Sequence, residues 1–136
     1  MPRIVRFHEM GGADVLQIDD LPLEEPGEGE VRLKVEAIGL NRAEVMFREG
    51  QYLEDPDLPS RLGYEAAGIV DAVGAGVGNI NIGDRVSTIP AFSMRTHGVY
   101  GESASTPDLP PRVVPQAKLV WPQPSVLIRV PGVRAV

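Results

Sequence analysis

Few side chains in this sequence have the type and setting to do chemistry. The amide of Asn41 opens a helix-like stretch, the phenol of Tyr52 sits in a loop, and Tyr64 stands beside the carboxylate of Glu65. None of these groups is an acid/base pair poised near neutrality. They suit holding and orienting a ligand better than moving its protons. Asn41 fits two roles that are compatible: a helix cap, or an amide presented to a ligand. Tyr52 and Tyr64 fit either packing or a pocket wall. Glu65 reads as half of an ion pair, with Arg85 the expected partner. His8 and His97 are too isolated for a metal site or a proton relay and are expected at the surface. Ser103 and Ser105 lack the G-x-S-x-G turn that exposes a nucleophilic serine. Cysteine is absent, which removes disulfides, thiolate catalysis and cysteine-ligated zinc together.

The bulk composition narrows the field. A chain of 136 residues is expected to form one domain with its own core, needing no metal or disulfide for stability. A net charge of −6 speaks against nucleic acid, whose phosphates call for a basic surface. The N-terminus Met1–Phe7 is too short in apolar length for a signal peptide, and no apolar run could span a bilayer. The expectation is a soluble, cytoplasmic protein that contacts neither membrane nor nucleic acid.

The elements that must position those side chains are mostly strands. Glycine-rich turns separate short β-prone runs throughout the first 104 residues, so a compact, mainly β fold with short helices is expected. Glu30 to Ile38 is the clearest strand, with Val31, Leu33, Val35 and Ala37 on a dry face and Arg32, Lys34 and Glu36 on a wet one. Ile4 to Phe7, Val15 to Ile18, Gly68 to Val73 and Arg85 to Ile89 read as shorter strands. Asn41 to Glu49 is the helix candidate. Asn41 supplies the N-cap, Glu44 the capping-box acid, Val45, Met46 and Phe47 the apolar centre, and Gly50 the stop. Asp55 to Pro59 reads as a loop.

Composition changes after Ala104. Seven of the 13 prolines fall in residues 105–136, together with four bases, Arg112, Lys118, Arg129 and Arg134, and one acid, Asp108. Proline at this density blocks helix interiors and central strands. Val113–Val114, Leu119 to Trp121 and Val126 to Val130 remain candidates for short edge strands.

The segment Leu62-Gly63-Tyr64-Glu65-Ala66-Ala67-Gly68-Ile69-Val70, then Val73-Gly74, Val77 and Gly83-Asp84-Arg85-Val86, resembles the medium-chain dehydrogenase/reductase superfamily. Its catalytic-domain signature runs G-H-E-x-x-G-x-V, V-G, G-D-R-V. Phe7-His8 with Gly11-Gly12 and Val15-Leu16, Ala37 to Asn41, and Val99 to Ala104 extend the resemblance over about three quarters of the chain. Zinc-dependent relatives carry a cysteine ligand at the position of Asn41, an acid at that of Glu44 and a histidine ligand at that of Tyr64. Amide and phenol are poor substitutes for thiolate and imidazole at zinc. The resemblance is therefore to the zinc-free quinone oxidoreductase branch, which includes zeta-crystallin.

What the resemblance implies is a GroES-like, partly open β-barrel. It further implies reduction of quinones or enones by NADPH without metal, in a cleft shared with a Rossmann domain. An asparagine matching Asn41 lies beside both nicotinamide and substrate in that branch, and a tyrosine matching Tyr52 walls the pocket. Met46 stands where another tyrosine is common, and Tyr64 takes space vacated by the metal. The substrate pocket is thus expected from Asn41, Met46, Tyr52 and Tyr64, with Asn41 also the cofactor contact. Residues 1–104 form the catalytic domain in this reading. The Rossmann domain, with its glycine fingerprint, is absent; Gly74-Ala75-Gly76-Val77-Gly78 reads as a turn, since it lacks a βαβ context. Residues 105–136 then read as a tail foreign to the family, from a shifted frame or a truncated gene. On this reading the chain alone binds no NADPH and is inactive. Its exposed docking face is covered by the tail or by a second copy of the chain. The alternative is a non-catalytic GroES-like interaction module.

Overall fold

The computed structural model describes residues 1–78 and 80–108. Two antiparallel sheets carry the fold, and short helices bridge them. The first has the order β2-β1-β4, with β1 Arg3–Phe7 in the middle, β2 Leu16–Asp20 on one side and the two-residue β4 Ser60–Arg61 on the other. The second has the order β6-β5-β3-β7, built from β3 Glu30–Gly39, β5 Glu65–Val73, β6 Arg85–Ser87 and β7 Ser103–Pro107. Among the described residues, a bridge from Ile4 to Gly101 ties β1 to the segment leading into β7, and the Val5 N–H to Tyr100 C=O and Glu102 N–H to Arg3 C=O bonds, both 2.9 Å, reinforce it. The sheets do not close on each other. This is the mainly β, partly open GroES-like architecture expected from the sequence.

Phe7, Leu33, Phe47, Val70, Met94 and Val99 are the most deeply buried apolar side chains of the core. Strand β3 shows why alternation alone misplaces a face. Its pairing with β5 shifts register between Arg32 and Leu33 and again between Val35 and Ala37. The first extra residue is Asp71 on β5, and Val31, Leu33 and Val35 keep one buried face across it; the second is Glu36 on β3, and it reverses which side the following residues of β3 face. Ile38 is consequently buried where Ala37 was expected. Arg32 is buried rather than wet, and its guanidinium meets Asp71 at 2.8 Å and the Glu24 carbonyl at 3.0 Å.

The α1 helix, Arg42–Arg48, has its N-cap at Asn41 and a capping box with Glu44. It ends as the sequence predicts. Gly50 adopts φ +69°, donates to Phe47 C=O at 3.2 Å, and lets Gln51 donate to Met46 C=O at 2.7 Å, a Schellman closure. Val45, expected in the apolar centre, faces out instead.

Other boundaries move for local reasons. Val15 belongs to a 3₁₀ turn, Ala13–Val15, so β2 begins one residue later. β5 starts at Glu65, three residues before the expected strand. β6 stops at Ser87, because the Thr88 hydroxyl takes over the ladder by accepting from Ala66 N–H at 2.8 Å. β7 runs past Ala104 to Pro107. As an edge strand it tolerates proline, so the compositional break does not end the sheet. A second helix, α2 Met94–His97, was not anticipated. The strand candidates between Val113 and Val130, and the proposed covering of a docking face by the tail, fall outside the described residues.

Candidate functional site

Glu44 is the hub of the site. The residue is 3% exposed, and its carboxylate accepts three hydrogen bonds from three separate segments. Asn41 N–H donates at 2.6 Å, Tyr64 N–H at 3.2 Å and the Tyr100 hydroxyl at 2.5 Å. The Tyr100 hydroxyl also lies 3.1 Å from Gly39 C=O. Among the described residues Glu44 joins no ion pair, so amide and phenol donors alone support its buried charge. Such charge-assisted bonds are short and strong. They tie the start of α1, the start of β5 and the loop before β7 to one point.

Around this hub the predicted site residues separate into two groups. Tyr52 and Tyr64 come together, and Asn41 is linked to Tyr64 through Glu44, which accepts from the backbone N–H of each. Asn41 Nδ2 donates to Glu65 Oε2 at 3.1 Å, and the Tyr64 hydroxyl donates to the Tyr52 hydroxyl at 3.3 Å. Met46 lies half-buried in α1 and takes no part in this hydrogen-bond cluster. The partner expected for Glu65 is corrected. Its carboxylate is met by Asn41, while Arg85 sits exposed on β6, in register with Ile69 rather than Glu65.

Tyr64 is fixed on every side. Its N–H goes to Glu44, its C=O accepts from the Thr88 hydroxyl at 2.8 Å, and its ring packs between Tyr52 and Phe92, with centroids 6.4 and 5.8 Å away. The ring contacts continue as a ladder. Phe7 meets Phe47 edge-on at 5.8 Å, Phe47 meets Tyr52 at 6.5 Å, and Phe92 meets His97 at 6.1 Å. Burial pushes the Tyr64 phenol well above its ordinary pKa, helped by the hydrogen bond to Tyr52. Burial does the same to Tyr100, helped by Glu44. Both phenols are therefore neutral donors at any physiological pH.

Tyr100 reaches Glu44 only because Gly63 lets it pass. Gly63 has φ +103°, and a Cβ there would stand 2.2 Å from the Tyr100 ring. Val99 N–H to Gly63 C=O and Tyr100 N–H to Leu62 C=O complete the clamp.

Sequence reasoning missed Tyr100, Thr88 and the reach of Glu44. Tyr100 lies within the Val99 to Ala104 stretch that carried part of the resemblance, which was a usable signal; Thr88 offered none. His97 is also not a surface residue. It is half-buried against Phe92, 3.3 Å from Ser105 C=O. His8 is exposed and pairs with Asp19 at 2.9 Å.

A groove of about 60 Å³ opens on the four-stranded sheet, lined by Val31, Leu33, Val86, Phe92, Thr106 and neighbours. Asn41, Tyr52 and Tyr64 are not part of its lining. Among the described residues no group of three or more histidine, aspartate or glutamate side chains could hold a metal ion.

A half-open β fold with this cluster at the junction of α1 and β5 defines a class. The Alcohol dehydrogenase GroES-like domain family matches residues 27–108, and the chain belongs to it, within the quinone oxidoreductase branch of the medium-chain dehydrogenases/reductases. A quinone oxidoreductase of Salmonella typhimurium is 42% identical over 105 residues, covering 74% of this chain and 32% of the relative. The crystal structure of a Pseudomonas syringae quinone oxidoreductase superposes with a TM-score of 0.69 at 37% identity, over 79% of this chain and 32% of that one. The Escherichia coli quinone oxidoreductase complexed with NADPH superposes with a TM-score of 0.66 at 37% identity, over 76% and 30%. The chain thus spans about a third of the length of these relatives.

Proposed function

We propose that these residues form the substrate-side half of a zinc-independent, NADPH-dependent quinone or enone oxidoreductase. The observation that carries the reading is the hydroxyl pair of Tyr52 and Tyr64 beside the buried Glu44, which accepts from the backbone N–H of both Asn41 and Tyr64. Asn41, Met46, Tyr52 and Tyr64 would line the substrate. Asn41 would also face the cofactor. One Nδ2 proton is committed to Glu65, and the other proton of an NH₂ group remains for a carboxamide or carbonyl.

NADPH would supply the hydride. This chain's residues would position the acceptor, exclude water and hold neutral hydrogen-bond donors against it. The described residues contain no βαβ unit with a glycine fingerprint. The dinucleotide is therefore assigned to a separate nucleotide-binding half. Exposed apolar side chains adjoin the site residues in sequence. Leu40 is 36% exposed, Val45 41% and Leu53 95%, which suits a face that docks on such a half. Two copies of the chain would meet through the same face where it is left bare. A cytoplasmic setting belongs to this reading.

Titration of the chain with NADPH and a quinone tests it. Quinone should perturb Tyr52 and Tyr64, and NADPH oxidation should rise only when a nucleotide-binding half is added in trans. Tight NADPH binding by the chain alone would refute the division of labour. A quinone that leaves all three tyrosines unchanged would refute the site.

A further inference from the structure

We propose that Tyr64 is a specificity-determining residue of this site. Its hydroxyl donates to Tyr52 and thereby leaves the Tyr52 proton free for a carbonyl oxygen of the ligand. The inference rests on the reading that the ligand is a quinone or enone, and it adds a residue and a direction to it.

The direction follows from burial. A phenol has one proton to give. Tyr64 is 9% exposed, whereas Tyr52 is half-exposed. If Tyr52 donated to Tyr64, the Tyr64 proton would be buried without an acceptor among the described residues, an arrangement that costs stability. With Tyr64 donating, at 3.3 Å, the proton left over belongs to the outer phenol, where a ligand can take it. Among the described residues the Tyr52 hydroxyl has no acceptor of its own.

Accepting a hydrogen bond also makes Tyr52 a better donor, by roughly 10–30% in strength. The pair is pre-set, because Tyr64 is pinned by Glu44 at its N–H, Thr88 at its C=O and Phe92 at its ring. A planar molecule that offers carbonyl acceptors and no donors of its own fits this wall. Quinones and cyclic enones have that chemistry.

The test uses the full chain with ¹³Cζ-labelled tyrosine, which gives three signals because the chain has three tyrosines. The probe is tetramethyl-p-benzoquinone, added with and without NADPH. Its ring has no open position for a nucleophile, and the chain has no thiol to react. The Tyr52 and Tyr64 signals should move together while Tyr100 stays. Tyr64→Phe keeps the ring and removes the relay; it should weaken quinone binding by up to about two-fold, the roughly 10–30% share of one neutral hydrogen bond that the relay adds. Tyr52→Phe should weaken binding at least as much. The double variant should be no worse than Tyr52→Phe alone, because Tyr64 acts through Tyr52. In Tyr52→Phe the ligand-induced shift of Tyr64 should vanish, a readout that does not require Tyr64→Phe to fold.

Binding that Tyr64→Phe leaves unchanged, or losses that multiply in the double variant, would overturn the relay and leave the quinone site standing. Failure of the wild-type chain to bind quinone under either condition would overturn both.

Discussion

Replacing Glu44 by glutamine keeps the shape of the hub and removes its charge. Oε2 receives Asn41 N–H at 2.6 Å and the Tyr100 hydroxyl at 2.5 Å, and Oε1 receives Tyr64 N–H at 3.2 Å. A glutamine can set its oxygen where Oε2 stands and retain the first two bonds as neutral ones, roughly half as strong. Its NH₂ group then faces Tyr64 N–H, donor against donor, and leaves a buried amide without a partner, which costs about 1–3 kcal/mol. The weakening of the other two bonds adds about 1 kcal/mol each, against hydrogen bonds to charged groups worth about 1.5–3 kcal/mol. Relief from burying a charge offsets part of this. The expected net loss is about 2–4 kcal/mol, against the roughly 5–15 kcal/mol by which domains are stable. Urea unfolding measures it as a lower midpoint with an unchanged slope. Thermal unfolding should fall on the order of 10–20 °C. In the same variant the Tyr100 phenol should titrate closer to its ordinary range, because its hydrogen bond to a carboxylate is gone. A Glu44→Gln protein within about 0.5 kcal/mol of wild type, a margin typical of surface substitutions, would show that the three bonds are not the hub described.

Three further outcomes follow from the same geometry. Gly63→Ala should destabilise by about 2–4 kcal/mol, since it combines a left-handed φ with a Cβ 2.2 Å from the Tyr100 ring and overpacking typically costs about 1–3 kcal/mol; chemical denaturation measures it, and a neutral effect would mean that Tyr100 is not held there. Tyr64 and Tyr100 have folded pKa values raised above the unfolded value near 10. Their contribution to stability is therefore complete below about pH 10 and is lost as pH rises beyond it; ultraviolet titration should show these two phenols ionising only with unfolding. Asp19 and Glu102 have folded values lowered, by hydrogen bonds from Arg6 and then His8 and by hydrogen bonds from Arg3 respectively. Their contribution is present above about pH 4 and is lost as pH falls below it. An Asp19→Asn, Glu102→Gln protein should show a flatter acid limb in urea unfolding, and an unaltered limb would count against both pairs.

Local signals served local features well. The limits of α1 were legible because a cap and a left-handed glycine are written into adjacent residues. The β-rich character and the partly open architecture followed from turn spacing and from the signature around Gly63 and Gly68. What was not legible was set by distance along the chain. Two of the three donors to Glu44 come from positions 64 and 100, so its sequence context showed a capping acid and nothing more. The short α2 helix forms because Glu54, far back in the chain, accepts from Ser93 Oγ and Met94 N–H at 2.5 and 3.1 Å. The face of β3 after Val35 was lost to the bulge at Glu36, which no alternation pattern announces. Arg85 as a partner for Glu65 was reasoned from charge alone, and the register of β6 against β5 decided otherwise.

The aromatic ladder has a consequence for how such a site changes over generations. Phe7 is on the three-stranded sheet and Phe92 follows β6, yet they are joined ring to ring through Phe47, Tyr52 and Tyr64. Interiors packed at this density transmit changes of volume. A substitution at Phe7 will therefore shift the Tyr52 and Tyr64 phenols further along the ladder. Selection on the Tyr52–Tyr64 pair can act through that buried strand as readily as on the pair itself, and drift there will seldom be silent.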